Sequence, residues 1–139
     1  MQRFACCALL LATLSVAAFA GVSHDATAAA LERCLALPAN ASTAGQTDCE
    51  AAAMRSYDRR MNVAFAVLMR RQPAAAADRL RRSQRAWLTF REAEVPARRA
   101  IFATRQGTMF VPMEADAAVT LVGDRARLLE RYVRVLGIE

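Results

Sequence analysis

Two stretches hold most of the polar side chains that could do chemistry in this chain. They are DRRMNVAF, from Asp58 to Phe65, and QRAWLTFREAE, from Gln84 to Glu94. Asp58 and Glu94 could act as a carboxylate pair for general acid–base work, but nothing else in the chain supports such a role. Arg91 falls on the apolar stripe of its helix and needs a partner, because a lone buried charge costs several kcal/mol. Asp58 across a helix pair, or Glu94 three residues on, would supply it. Asn62 and Gln84 would form a second polar rung. The expected role of this set, with Trp87 among it, is a satisfied polar layer that fixes helix register rather than a reaction centre. His24 is the only histidine and lies near the start of the chain, where it reads as a solvated residue. Serine therefore lacks a base, and one histidine with few cysteines gives no zinc spacing. No glycine-rich phosphate loop is present. Catalytic residues, a metal site and a cofactor are not expected, and the chain reads as a binding protein rather than an enzyme.

Four cysteines are present: Cys6, Cys7, Cys34 and Cys49. The first two lie in a stretch that reads as a removable leader, MQRFACCALLLATLSVAAFA. Arg3 gives it a positive start, an apolar run follows, and Ala18-Phe19-Ala20 is a small-x-small cleavage site with Gly21 after it. The run is short and alanine-rich for a transmembrane span. Residues 1–20 are thus expected to be a signal peptide, although a retained anchor is the alternative. Residues 21–139 are expected to form one domain in the periplasm or outside the cell. In an oxidising compartment Cys34 and Cys49 can pair across a turn-rich loop and stabilise the fold by roughly 3 kcal/mol. An intermolecular or redox-active pair is the alternative, but the spacing is not Cys-x-x-Cys.

All 19 basic residues are arginine, against 13 acidic ones, and the net charge is +6. Such a charge favours anionic partners. Nucleic acid is not expected, since the arginines are not interleaved with aromatic residues.

Positioning these groups falls to helices. Glycine is scarce, alanine abundant, and no useful strand-like alternation occurs. Residues 21–30 read as a mobile remnant and Ala28–Leu37 as a short helix. Pro38–Gly45 reads as a loop. A long helix should start between Thr43 and Thr47, each of which has a capping-box partner (Gln46 and Glu50), and run to Arg71. Pro73 should break it and open a second helix to Arg105, kinked or interrupted at Pro96. Gly107–Val111 reads as a loop, with Pro112 opening a last helix that ends near Leu136. Met54, Tyr57, Met61, Phe65 and Leu68 share one face of the first long helix, with Arg55, Arg59, Arg60, Arg70 and Arg71 opposite. Leu80, Trp87, Leu88, Val95, Ile101 and Phe102 form the stripe of the second. The tight break at Gln72–Pro73 makes these two helices an antiparallel hairpin. The expected fold is all-α, three to four helices with that hairpin, clamped by one disulfide.

The order of several motifs resembles the LprI-type lysozyme inhibitor family. They are Asp58-x-x-Met61-Asn62-x-x-Phe65, Gln84-Arg85-Ala86-Trp87-x-x-Phe90-Arg91-x-x-Glu94, Gly107-Thr108, and Arg125 with Leu129. The resemblance implies an exported, all-helical domain that inhibits lysozyme, with no inhibitory residue carried across. The family usually has a cysteine where Val95 stands and another near Asp116 or Ala117. The loss of both implies that they pair with each other and leaves Cys34 and Cys49 as a separate pair. A tyrosine is common at Phe65 and a threonine near Val122.

The leading expectation is an exported protein that occludes lysozyme by non-covalent contact, with Thr108, Met109, Phe110 and Val111 as the partner-binding loop. Animal-type lysozymes are also basic, so long-range steering would be repulsive. The competing expectation is a module that binds an anionic envelope component, or a partner protein, through the arginine face. No membrane span is expected in residues 21–139.

Overall fold

The computed structural model describes residues 25–138. The expected signal peptide and His24 lie outside them. The chain forms α1 (Ala26–Leu35), a single 3-10 turn at Pro38–Asn40, then α2 (Thr43–Arg71), α3 (Ala74–Ala103) and α4 (Phe110–Val135). No strand occurs among the described residues, so the all-α expectation holds. None of the described helices is long and apolar enough to cross a membrane.

α1 starts two residues earlier than the alanine run suggests. Asp25 caps it, accepting from the backbone N–H groups of Thr27 and Ala28, and residues read as a mobile remnant become its first turn. Part of the expected Pro38–Gly45 loop is helical as well. Ser42, rather than Thr43 or Thr47, caps α2 by accepting from Gly45 N. Thr47 instead turns its hydroxyl back to Thr43 O. Gly45 has no room for a side chain, since a Cβ there would stand 2.7 Å from Asn40 Cα. The 3-10 turn thereby lies directly against the start of α2. Cys34 and Cys49 are joined in a disulfide with Cα atoms 5.8 Å apart, and Asn40 Nδ2 donates to Cys34 O at 2.9 Å. The end of α1, the turn and α2 are thus held at one point.

Gln72 is extended, with ψ 148°, as a residue before proline should be. Pro73 is the cap of α3 rather than its first residue. Pro96 does not interrupt α3, which continues across it. Both Pro96 and Glu92, whose carbonyl would have received the missing N–H, lie on the exposed face, where water can replace the bond. Gly107 takes φ +110°, a conformation that strongly favours glycine. α4 then begins at Phe110, two residues before the expected start. Pro112 falls in its first turn, where a missing donor costs nothing.

α2 and α3 form the expected antiparallel hairpin, but the main seam of the core lies between α2 and α4. Contacts of Arg60 with Glu130 and of Arg71 with Leu136 show these two helices running parallel. Ala53, Tyr57, Met61, Ala64 and Leu68 from α2 close on Val119, Val122, Ala126 and Leu129 from α4. Both sets advance by three or four residues, which keeps one face of each helix turned to the other. α3 buries only Ala77 and Gln84 fully. Leu80 and Trp87 pack against the core from its border, while Ile101 is left exposed. The polar interruptions of its stripe explain why α3 rests on the α2–α4 pair instead of forming the core with α2.

Candidate functional site

Three groups of polar side chains surround the seam. The first is the expected layer on the α3 side. Arg91 Nη1 donates to Asp58 Oδ1 at 3.2 Å, so Asp58, not Glu94, is its partner. Both side chains are partly exposed, at 35% and 43%, and the pair contributes little. Gln84 does not meet Asn62, which is exposed on α2. Its amide donates instead to Met61 Sδ at 3.6 Å, and its carbonyl takes two bonds from Arg125, at 3.0 and 2.9 Å. Trp87 is flanked by the guanidinium groups of Arg91 and Arg125, 5.5 and 5.8 Å from its ring centre. Arg125 is buried, and burial pulls its pKa down. A neutral amide and an indole face thus hold a buried cation. Glu94 is half-buried outside this set.

The second group was not visible in the sequence. Asp25 Oδ2 receives the Tyr57 hydroxyl and Arg127 Nη1, each at 2.9 Å, and its Oδ1 receives Arg60 Nη1. Arg60 also grips Glu130 with two bonds of 2.7 Å. Burial pushes the Asp25 carboxyl up, but the bonds from Arg60, Arg127 and Tyr57 outweigh it and hold the pKa well below the usual carboxylate range. Burial, and then Asp25, raise the pKa of the Tyr57 phenol. Arg60, expected on a free arginine face, is therefore committed to α1 and α4. The only local signal was an aspartate just ahead of an alanine-rich run, which is a helix cap.

The third place is one end of the molecule. There the close of α1, the start of α2, the end of α3 and the start of α4 surround an open cleft of about 780 Å³. Thr108 and Met109 lie on its wall. Phe110 and Val111, expected in the same loop, are the first residues of α4 instead. Leu35, Leu37, Ile101, Met109, Val111 and Met113 are all exposed large apolar residues, and they lie on or next to the segments that line the cleft. The remaining ones are Val63, Phe90 and, at the close of α4 and just beyond it, Tyr132, Val135 and Ile138. The cleft end therefore gathers six of the exposed large apolar residues among the described ones, a clustering typical of contact surfaces. No group of His, Cys, Asp and Glu among the described residues could hold a metal ion.

The model of a family described as Lysozyme inhibitor LprI matches residues 34–129. No curated protein matches the chain. Among solved structures, the crystal structure of an uncharacterized protein from Burkholderia thailandensis is similar, with 34% identity and a TM-score of 0.72. The match covers 79% of this chain and 56% of that one, so the chain spans little more than half of that protein's length. The match to the family model takes in most of the chain, from Cys34 to Leu129, and the chain belongs to the LprI family. The disulfide, the Trp87 layer and the cleft fall inside the matched residues, whereas Asp25 and Glu130 fall outside.

Proposed function

Starting from that membership, we propose that the protein is exported, with residues 1–20 removed as a signal peptide, and that it inhibits lysozyme by non-covalent occlusion. The family match over residues 34–129 carries this reading. The cleft end supplies the contact surface. Its exposed apolar residues, with Met109 at 63% and Val111 at 51% exposure, are of the kind that become the buried centre of a protein interface. The Trp87 layer and the Asp25 group are structural: their polar atoms are spent on joining helices. The protein acts by contact, without a chemical step.

The test is a titration of purified, oxidised protein against lysozymes of several classes in a cell-wall lysis assay. Inhibition that saturates with a defined stoichiometry is expected for at least one class. If no class is inhibited at micromolar excess, the reading fails. A second reading is binding of an anionic envelope polymer, favoured by the exposed Arg55, Arg59 and Arg70 of α2 and Arg79, Arg82 and Arg85 of α3. It requires affinity for lipopolysaccharide or peptidoglycan that falls steeply with added salt.

A further inference from the structure

The cleft at the α4 end departs from the charge of the rest of the molecule. The chain has 19 arginines and a net charge of +6, yet none of the cleft's lining residues is an arginine, and two are acidic: Glu50 and Asp116. Leu35, Phe102, Met109 and Met113 supply its apolar walls. Glu50 is 4% exposed, and its Oε2 is enclosed without any hydrogen-bond partner. Nearly every buried polar atom in a folded protein is satisfied. A buried carboxylate oxygen left without a donor costs more than an amide would. Burial, and then the charge of Asp116, raise the Glu50 pKa, which is the mark of a carboxylate lacking the cation that would stabilise it.

We propose that this cleft receives a lysine or arginine side chain projecting from the bound protein, with its charged head at Glu50 and Asp116 and its methylene stem between Phe102, Met109 and Met113. The inference rests on the reading of the protein as one that binds another protein, and it names the feature of the partner that is recognised. The two parts of the cleft match the two parts of such a side chain, an apolar stem and a charged tip. The site also answers the electrostatic difficulty of two basic proteins meeting. Like charges repel at long range, while one desolvated cation meets two carboxylates at the contact itself. Glu50 has a donor only in the complex, so the cost of its burial in the free protein is relieved on binding.

The experiment follows the methyl resonances of Met109 and Met113 in the oxidised protein. The probe is N-acetyl-arginine methylamide, and the neutral control is N-acetyl-norleucine methylamide. The arginine compound should shift both methyls in a saturable way, and the neutral one should bind more weakly by roughly tenfold. E50Q and D116N should each erase most of that difference. Asp116 is exposed, so D116N tests the charge without disturbing the buried end of the cleft. In the lysis assay the same substitutions should weaken inhibition by roughly tenfold each. Equal binding of both compounds, or arginine binding unchanged in both variants, overturns the cleft assignment. Inhibition that both substitutions leave intact also overturns it, and the proposed function then stands alone. Arginine-selective binding together with no inhibition of any lysozyme supports the cleft and overturns lysozyme as the partner.

Discussion

Asp25 and Glu50 are carboxylates with opposite fates, and pH separates them. Asp25 accepts from three side-chain donors and two backbone N–H groups, and its pKa in the folded state is held well below the ordinary 3.8. Its contribution is therefore complete above that value and is lost as pH falls below it toward the folded pKa. D25N should lower stability at pH 7 by about 2 kcal/mol, through the lost cap and the lost ion pairs. It should also flatten the loss of stability between about pH 5 and pH 2. Urea denaturation at a series of pH values measures both. Parallel curves for the two proteins would show that the network contributes no pH dependence. Glu50 behaves in the reverse sense. Its folded pKa is raised above the ordinary 4.5, so its burial costs stability at neutral pH and the cost fades as pH falls through the folded pKa. E50Q should raise stability at pH 7 by about 1 kcal/mol, which is a few degrees in melting temperature. The gain should vanish near pH 4. A variant that is more stable yet binds less well is the expected signature of a residue kept for contact rather than for folding. Neither role is legible in the sequence. Asp25 follows a leader-like stretch, and its partners come from α2 and α4, while Glu50 reads as an ordinary capping residue. Both acquire their character only from elements distant in the chain.

At the scale of elements, the signals that held were those with a local cause. The break at Gln72–Pro73 and the end of α4 before Gly137 need no tertiary information. The cysteine pair was also readable, because only two cysteines remain beyond the leader-like stretch and turn residues separate them. Where local signals compete, contacts from elsewhere in the chain decide. Ser42, Thr43 and Thr47 can all cap α2, and the approach of Asn40 to Gly45 decides for Ser42. Pro112 looked like a helix start, yet proline is free in any position of the first turn. The disulfide and the Asn40–Gly45 contact anchor the same junction, so both should matter to α1 and the cleft. Replacing Cys34 and Cys49 by alanine should cost about 3 kcal/mol. G45A should cost about 1–3 kcal/mol, since the clash is with backbone and not with a movable side chain. Thermal unfolding followed by circular dichroism tests each. Near-additive losses in the triple variant would mean that the two devices act independently. A triple variant scarcely worse than the disulfide deletion would mean that the disulfide brings the turn onto α2.

Over the whole molecule, the helical class follows from composition and the α2–α3 hairpin from the break at Gln72–Pro73, but the dominance of the parallel α2–α4 seam follows from neither. Chain proximity favours α2 with α3. What decides otherwise is that α4 offers Val119, Val122, Ala126 and Leu129 as an uninterrupted apolar row, whereas Gln84, Arg91 and Glu94 break the row on α3. The same placement sorts the charges. Arg60, Arg91, Arg125 and Arg127 are spent on joining helices, Arg79, Arg82, Arg85 and Arg99 of α3 face outward, and no arginine lines the cleft beside its two carboxylates. Long-range and contact electrostatics then have opposite signs toward a basic partner. Repulsion from the excess of arginine over acidic residues acts before contact and is screened over a Debye length of about 10 Å at 0.1 M salt. The contact of a cation with Glu50 is enclosed and screened much less. Association with a basic lysozyme should therefore speed up as salt rises from about 0.05 to 0.3 M, while dissociation of the wild-type complex changes little. E50Q should accelerate dissociation by roughly tenfold and leave the salt dependence of association almost as it was. Stopped-flow measurements on the two proteins resolve these rates. Association that slows with salt would mean that the outer arginines find an anionic surface on the partner, which is the behaviour required of a polymer-binding module and not of an inhibitor that meets a basic enzyme.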